Sequence, residues 1–113
     1  MTKIVASAER LYLHAEGHAG SAPKGEDLIC AGISAMTQTL LNVLSDEEEK
    51  GHLTMDWTME PGRIRIRVTQ VKSWKYGLIA KSYFTMAITG LRDMAGKYPE
   101  YIEIEEVQES GNV

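Results

Sequence analysis

Alternation and helical spacing trade places along this chain, and each exchange marks an element. Residues 2 to 6 are short and apolar and predict a strand. Residues 11 to 16 alternate, with Leu11, Leu13 and Ala15 on one side and Tyr12, His14 and Glu16 on the other. Ala8-Glu9-Arg10 is the expected turn between them, although it lacks a strong turn dipeptide, and Gly17 and Gly20 then end the pattern. From 27 to 46 the period changes. Ile29, Ile33, Met36, Leu40, Val43 and Leu44 recur at helical spacing. Glu26 and Asp27 sit where negative charge favours a helix start, and Glu47, Glu48, Glu49 and Lys50 read as a solvated exit closed by Gly51.

Alternation returns over 52 to 70. Leu53, Met55, Trp57 and Met59 alternate with His52, Thr54, Asp56 and Thr58. After Glu60-Pro61-Gly62, Ile64, Ile66 and Val68 alternate with Arg63, Arg65 and Arg67. This is a hairpin with one apolar and one polar face. A second helix is expected over 74 to 97, with Tyr76, Ala80, Tyr83, Ala87, Leu91 and Met94 on one stripe and Pro99 beyond its end. A last strand covers 101 to 107, and 108 to 113 reads as a loose tail. The order predicts one α+β domain over 1–113: a mostly antiparallel sheet of about five strands with two helices on one face.

At 113 residues, 43% apolar and 25% charged, the chain has the composition of a single globular domain. A net charge of −4 gives no broad pull toward nucleic acid or anionic membrane. The N-terminus lacks a signal-like apolar run, and no apolar segment is expected to reach the length of a bilayer span. One cysteine makes no internal disulfide, so a cytoplasmic protein is expected.

That cysteine carries the candidate chemistry. Between His18 and Cys30 runs a loop of small residues, with Gly20, Ser21, Pro23 and Gly25, which reads over 19 to 26 as a flap. Cys30 is expected about three residues into the first helix. There, free amides and the helix dipole stabilise a thiolate by about 0.3–1 kcal/mol, and an imidazole that takes the thiol proton adds to this. The same amides are suited to hold an oxyanion. Asp27 and Ser34, three before and four after, share the face of Cys30. Asp27 helps only if its charge meets the imidazole or loop amides. Ser34 is placed to hydrogen-bond the sulfur or a substrate. Gly32 suggests close approach of a peptide backbone. The residues alone leave a plainer alternative open, a small buried cysteine with an unrelated histidine.

Other patterns carry less. His14 and His18 have the spacing of a helical metal pair, but on a strand the rings stand roughly 13 Å apart, so no metal site is expected. Arg63, Arg65 and Arg67 suggest a solvated or subunit-contact face rather than a nucleic-acid surface. Glu103, Glu105 and Glu106 read as solvated charges guarding a strand edge.

Gly17-His18-Ala19, Gly25, Asp27, Ile29-Cys30-Ala31-Gly32 and Ser34-Ala35 together resemble the ribosomal-processing cysteine protease family, Prp. The element order and Tyr98-Pro99-Glu100-Tyr101-Ile102 extend the likeness. The resemblance implies a small α+β homodimer with His18 as general base and Cys30 as nucleophile. Asp27 and Ser34 would be supporting groups, and Gly20, Ser21 and Gly25 would lie in a substrate-binding loop. It implies removal of a short N-terminal extension from large-subunit ribosomal protein L twenty-seven during ribosome biogenesis, or processing of phage capsid or scaffold protein by a prophage-borne member. The implied partner is therefore a protein substrate, with no membrane, direct nucleic acid or cofactor. The alternative is a non-catalytic assembly factor or peptide-binding dimer using the same groove. Pro23 and Lys24 depart from the family's typical loop.

Overall fold

Three tight turns decide how the sheet closes. After β1 (Thr2–Ser7) the chain reverses through Leu11, a non-glycine residue held at φ 58°. Ser7 Oγ supports the reversal by accepting the Arg10 amide at 3.0 Å. This side-chain contact replaces the missing turn dipeptide. β2 (Tyr12–Glu16) then pairs antiparallel with β1. The second turn joins β3 (Leu53–Glu60) and β4 (Arg63–Val71) through Pro61-Gly62, with Gly62 at φ 78°. Proline followed by a left-handed glycine is the chemistry of a type II turn. The third is at Gly51, φ 80°, which ends α1 (Lys24–Glu49). The Gly51 amide reaches Glu48 O at 2.9 Å and the His52 amide reaches Glu47 O at 3.0 Å, a Schellman closure. The computed structural model describes residues 1–17 and 24–107, with side chains of α1 from residue 28 onward.

The sheet order is β3-β4-β2-β1-β5, where β5 (Ile102–Glu106) lies parallel to β1 and the other pairs are antiparallel. The α+β architecture expected from the pattern is thus present. One face of the sheet carries Ile4, Ala6, Leu13, Ala15, Ile64, Ile66 and Val68, all buried in one core with residues of α1 and of α2 (Trp74–Lys97). From α1 that core takes Ile29, Ile33, Leu40, Leu41 and Leu44. From α2 it takes Ala80, Phe84, Ala87, Ile88 and Leu91. The expected α2 stripe omits Phe84 and Ile88. Tyr83 and Met94, which it includes, pack only at the core's margin.

Five further expectations change. α1 begins at Lys24, so Gly25 and Glu26 belong to its first turn and not to a flap; acidic residues at 26 and 27 favour that earlier start. Residues Leu28–Glu49 do meet the length and composition of a membrane span, among the described residues the one helix that does. Ile29, Ile33, Leu40, Leu41 and Leu44 of this segment are buried in the core described above, whereas Leu28 is 75% exposed. Gly32 does not face a peptide groove. A Cβ there would meet Met94 Cε at 2.8 Å, and at Gly90 it would meet Met36 Cε at 2.6 Å. Each helix thus offers a glycine to a methionine of the other, which brings the two axes close.

The fourth is the expected solvated exit of α1, which is partly buried. Glu47 is 8% exposed and accepts from His52 Nδ1 at 2.8 Å and from the Tyr83 hydroxyl at 3.2 Å. His52 also stacks on Tyr76 at 3.8 Å between centroids. Glu48 Oε2 accepts the Met55 amide at 3.0 Å, where the β3–β4 register shifts between Thr54 and Met55. Glu106, expected as a free edge charge, makes two 2.6 Å hydrogen bonds with Arg92 and so ties β5 to α2.

Candidate active site

Cys30 is the seventh residue of α1, one turn deeper than expected, because the helix starts at Lys24. Its own amide is therefore inside the helical ladder. The free amides belong to the first turn, and Asp27 lies about 4.5 Å back along the axis. Side chains of a helix lean toward its N-terminus, so the sulfur is directed at that turn. Cys30 is free and half-buried, accessible without being fully solvated.

The Cys30 side of α1 forms one wall of a cleft of about 460 Å³. That wall is built at four-residue steps by Cys30, Ser34 and Gln38, with Ile33 and Thr37 beneath them. Thr37 is buried, and its hydroxyl is satisfied by donating to Ile33 O at 2.9 Å. The floor is sheet: Thr2, Ala15 and Ile64. The opposite wall is the β3–β4 hairpin tip, Met59 to Arg63, where Arg63 Nε meets Glu60 Oε1 at 3.2 Å. Met59 is 49% exposed and leaves an apolar side on the cleft.

Gly17 also lines this cleft, at the end of β2. Its φ is 122°, and its amide donates to Gly62 O at 2.8 Å. A Cβ on Gly17 would lie 2.3 Å from Met1 O. The glycine is thus required both by its backbone angle and by the passage of the N-terminal strand. Of the expected site residues, Cys30 and Ser34 are brought into the cleft. His18, Gly20 and Ser21 lie outside the described residues, as does the Asp27 side chain, and Gly25 is in α1.

A family model, cysteine protease Prp, matches residues 1–103. The chain belongs to the Prp family of cysteine proteases. No curated protein sequence matches it significantly. Solved structures share the fold at low sequence identity. SMU.848 from Streptococcus mutans is 20% identical with a TM-score of 0.71, over 94% of this chain and 91% of that one. The essential ribosomal processing protease Prp of S. aureus, solved with a substrate peptide, is 18% identical with a TM-score of 0.73, over 95% of this chain and all of that one. The same S. aureus protease has also been solved with a covalently linked product peptide, at a TM-score of 0.69 and 18% identity over the same shares.

Several cleft residues escaped sequence reading. Gln38 was legible in principle, since it continues the Cys30–Ser34 face by four residues. Thr2, Ala15 and the Glu60-to-Arg63 tip were not. They reach the cleft only through the pairing of β2 with both β1 and β4, which no local pattern specifies.

Proposed function

We propose that this chain is a cysteine endopeptidase in which His18 takes the thiol proton of Cys30 and the sulfur attacks a peptide carbonyl held in the cleft. The carrying observation is that Cys30 and Gly17 line one cleft, and covalent connectivity ties position 18 one peptide unit, about 3.8 Å, from Gly17. As the tetrahedral adduct collapses, the His18 imidazolium gives the proton to the leaving amine. Water then cleaves the thioester, releasing acid and free thiol. First-turn amides of α1 are suited to the oxyanion, about one helical turn from the sulfur. Ser34 and Asp27 are assigned as supporting polar groups, and residues 20 and 21 as part of the substrate-covering loop.

The substrate we propose is the N-terminal extension of a large-subunit ribosomal protein of the L twenty-seven type, cut in the cytoplasm during ribosome biogenesis. The protease activity of the family and the S. aureus relative's bound peptides support this reading. A homodimer is also proposed. Trp74, Leu78 and Met86 stand 78%, 56% and 64% exposed along one four-residue ridge of α2, which suits a self-complementary contact.

The test is incubation with an extended ribosomal protein beside a phage scaffold protein, followed by mass spectrometry. Release of a defined N-terminal fragment from the ribosomal protein is expected, with at least a thousandfold loss in Cys30→Ala. Binding without cleavage by the unaltered chain refutes the protease reading and favours a peptide-binding assembly factor. Cleavage of the scaffold protein alone refutes the ribosomal substrate.

A further inference from the structure

The core and both helices occupy one face of the sheet; among the described residues nothing covers the other face. On it the register sets side chains in rows across four strands. Val5 lies opposite His14, His14 opposite Arg65, and Arg65 opposite Thr58. Beside that row, Tyr12 lies opposite Arg67 and Arg67 opposite Asp56. Together these residues line a shallow hollow of about 580 Å³, separate from the Cys30 cleft.

Two features distinguish this hollow from an ordinary solvated face. Its arginines lack carboxylate partners: neither Arg65 nor Arg67 makes an ion pair among the described residues, whereas Arg63 holds Glu60 and Arg92 holds Glu106. Arg67 is instead laid over the Tyr12 ring, with Cζ 5.1 Å from its centroid, which fixes the guanidinium against the sheet. Second, His14 Nε2 is buried and makes no hydrogen bond among the described residues. Glu16 Oε1 approaches it only to 3.4 Å. The ring is thus held by no hydrogen bond that an arriving segment would have to break.

We propose that this face docks an extended acidic segment of a partner protein, carrying two carboxylates two residues apart. Arg65 and Arg67 are two residues apart on one strand, about 6.6 Å, which is also the repeat of same-side side chains in an extended peptide. Each guanidinium offers a fork of donors to one carboxylate. His14 and Thr58 flank Arg65 and supply further polar contacts to the segment. Asp56 lines the hollow opposite Arg67, Glu16 lies 3.4 Å from His14, and the chain carries −4 overall. A continuous run of phosphates would meet those acids along its length, whereas a peptide with carboxylates only at alternate positions brings two charges, one to each arginine. This favours an acidic peptide over RNA. A segment held there leaves the Cys30 cleft, on the other side of the sheet, open.

Fluorescence anisotropy with the full chain carrying Cys30→Ala tests the idea independently of cleavage. The probe is a labelled peptide of repeating Glu-Ser, with a Gln-Ser peptide and a uridine oligonucleotide as comparators. Saturable binding of the acidic peptide is expected, weakening as salt is raised. It should fall at least tenfold in Arg65→Gln with Arg67→Gln, and be unchanged in Lys75→Gln on α2. Equal binding of the Gln-Ser peptide, tighter binding of the oligonucleotide, no saturation at millimolar peptide, or no effect of the double substitution overturns the proposal.

Discussion

At Gly17 one added methyl group would collide with the backbone of the first strand. The φ of 122° excludes ordinary side chains, and Met1 O stands 2.3 Å from the position a Cβ would take. Gly17→Ala is therefore expected to cost about 1–3 kcal/mol, read as a lower urea midpoint. The glycine was visible in the sequence as a strand breaker; the reason for it was not, because Met1 approaches only in the folded sheet. Glu47 shows the converse. In sequence it is one of three glutamates at a helix exit. In the structure the hydrogen bond from His52, aided by the one from Tyr83, holds its carboxyl below the ordinary value of 4.5 against the opposing effect of burial. A depressed carboxyl adds stability that is fully present above the ordinary value and is lost as pH falls through the folded one. Unfolding free energy should therefore decline below about pH 5, and Glu47→Gln should flatten that decline in urea titrations at stepped pH. Tyr83→Phe removes one of the two hydrogen bonds and should cost about 1 kcal/mol. Burial and the neighbouring Glu47 raise the Tyr83 hydroxyl above 10.0, so its contribution is present at neutral pH and is lost only at strongly alkaline pH.

Helix glycines separate intrinsic propensity from packing. Gly96 has nothing within 4 Å of an added Cβ, whereas Gly90 would press on Met36 Cε at 2.6 Å. Gly96→Ala should stabilise the protein by about 0.5–1 kcal/mol through helix propensity alone. Gly90→Ala should gain less, because the Met36 side chain must be displaced; equal thermal shifts for the two variants would contradict the close glycine–methionine packing of α1 on α2. Elements with a clear period were legible: both helices, the 53–71 hairpin and the final strand. Boundaries were less so. The α1 start moved to Lys24 because the alternation of small residues before Asp27 gives no apolar stripe, although the backbone there is already helical. Phe84 was missed for a related reason: the α2 stripe was drawn through Tyr83, and the core takes the neighbour one residue on.

Across the whole molecule, one face of the sheet is spent on the core and on the Cys30 cleft, and the other carries Arg65 and Arg67, which make no ion pair among the described residues. The cysteine was legible as candidate chemistry from its context. The cleft was not, since its floor and far wall come from β1, β2, β3 and β4, brought together by strand order rather than by sequence proximity. The proposed catalytic pair requires that the half-buried thiol be reachable in the folded chain and that its reactivity depend on position 18. Iodoacetamide modification of native protein, followed by intact-mass measurement near pH 7, reports both. Rapid single modification at Cys30 is expected, slowed at least tenfold in His18→Ala. Modification only after unfolding, or the same rate in both proteins, would contradict the pairing of imidazole and thiol.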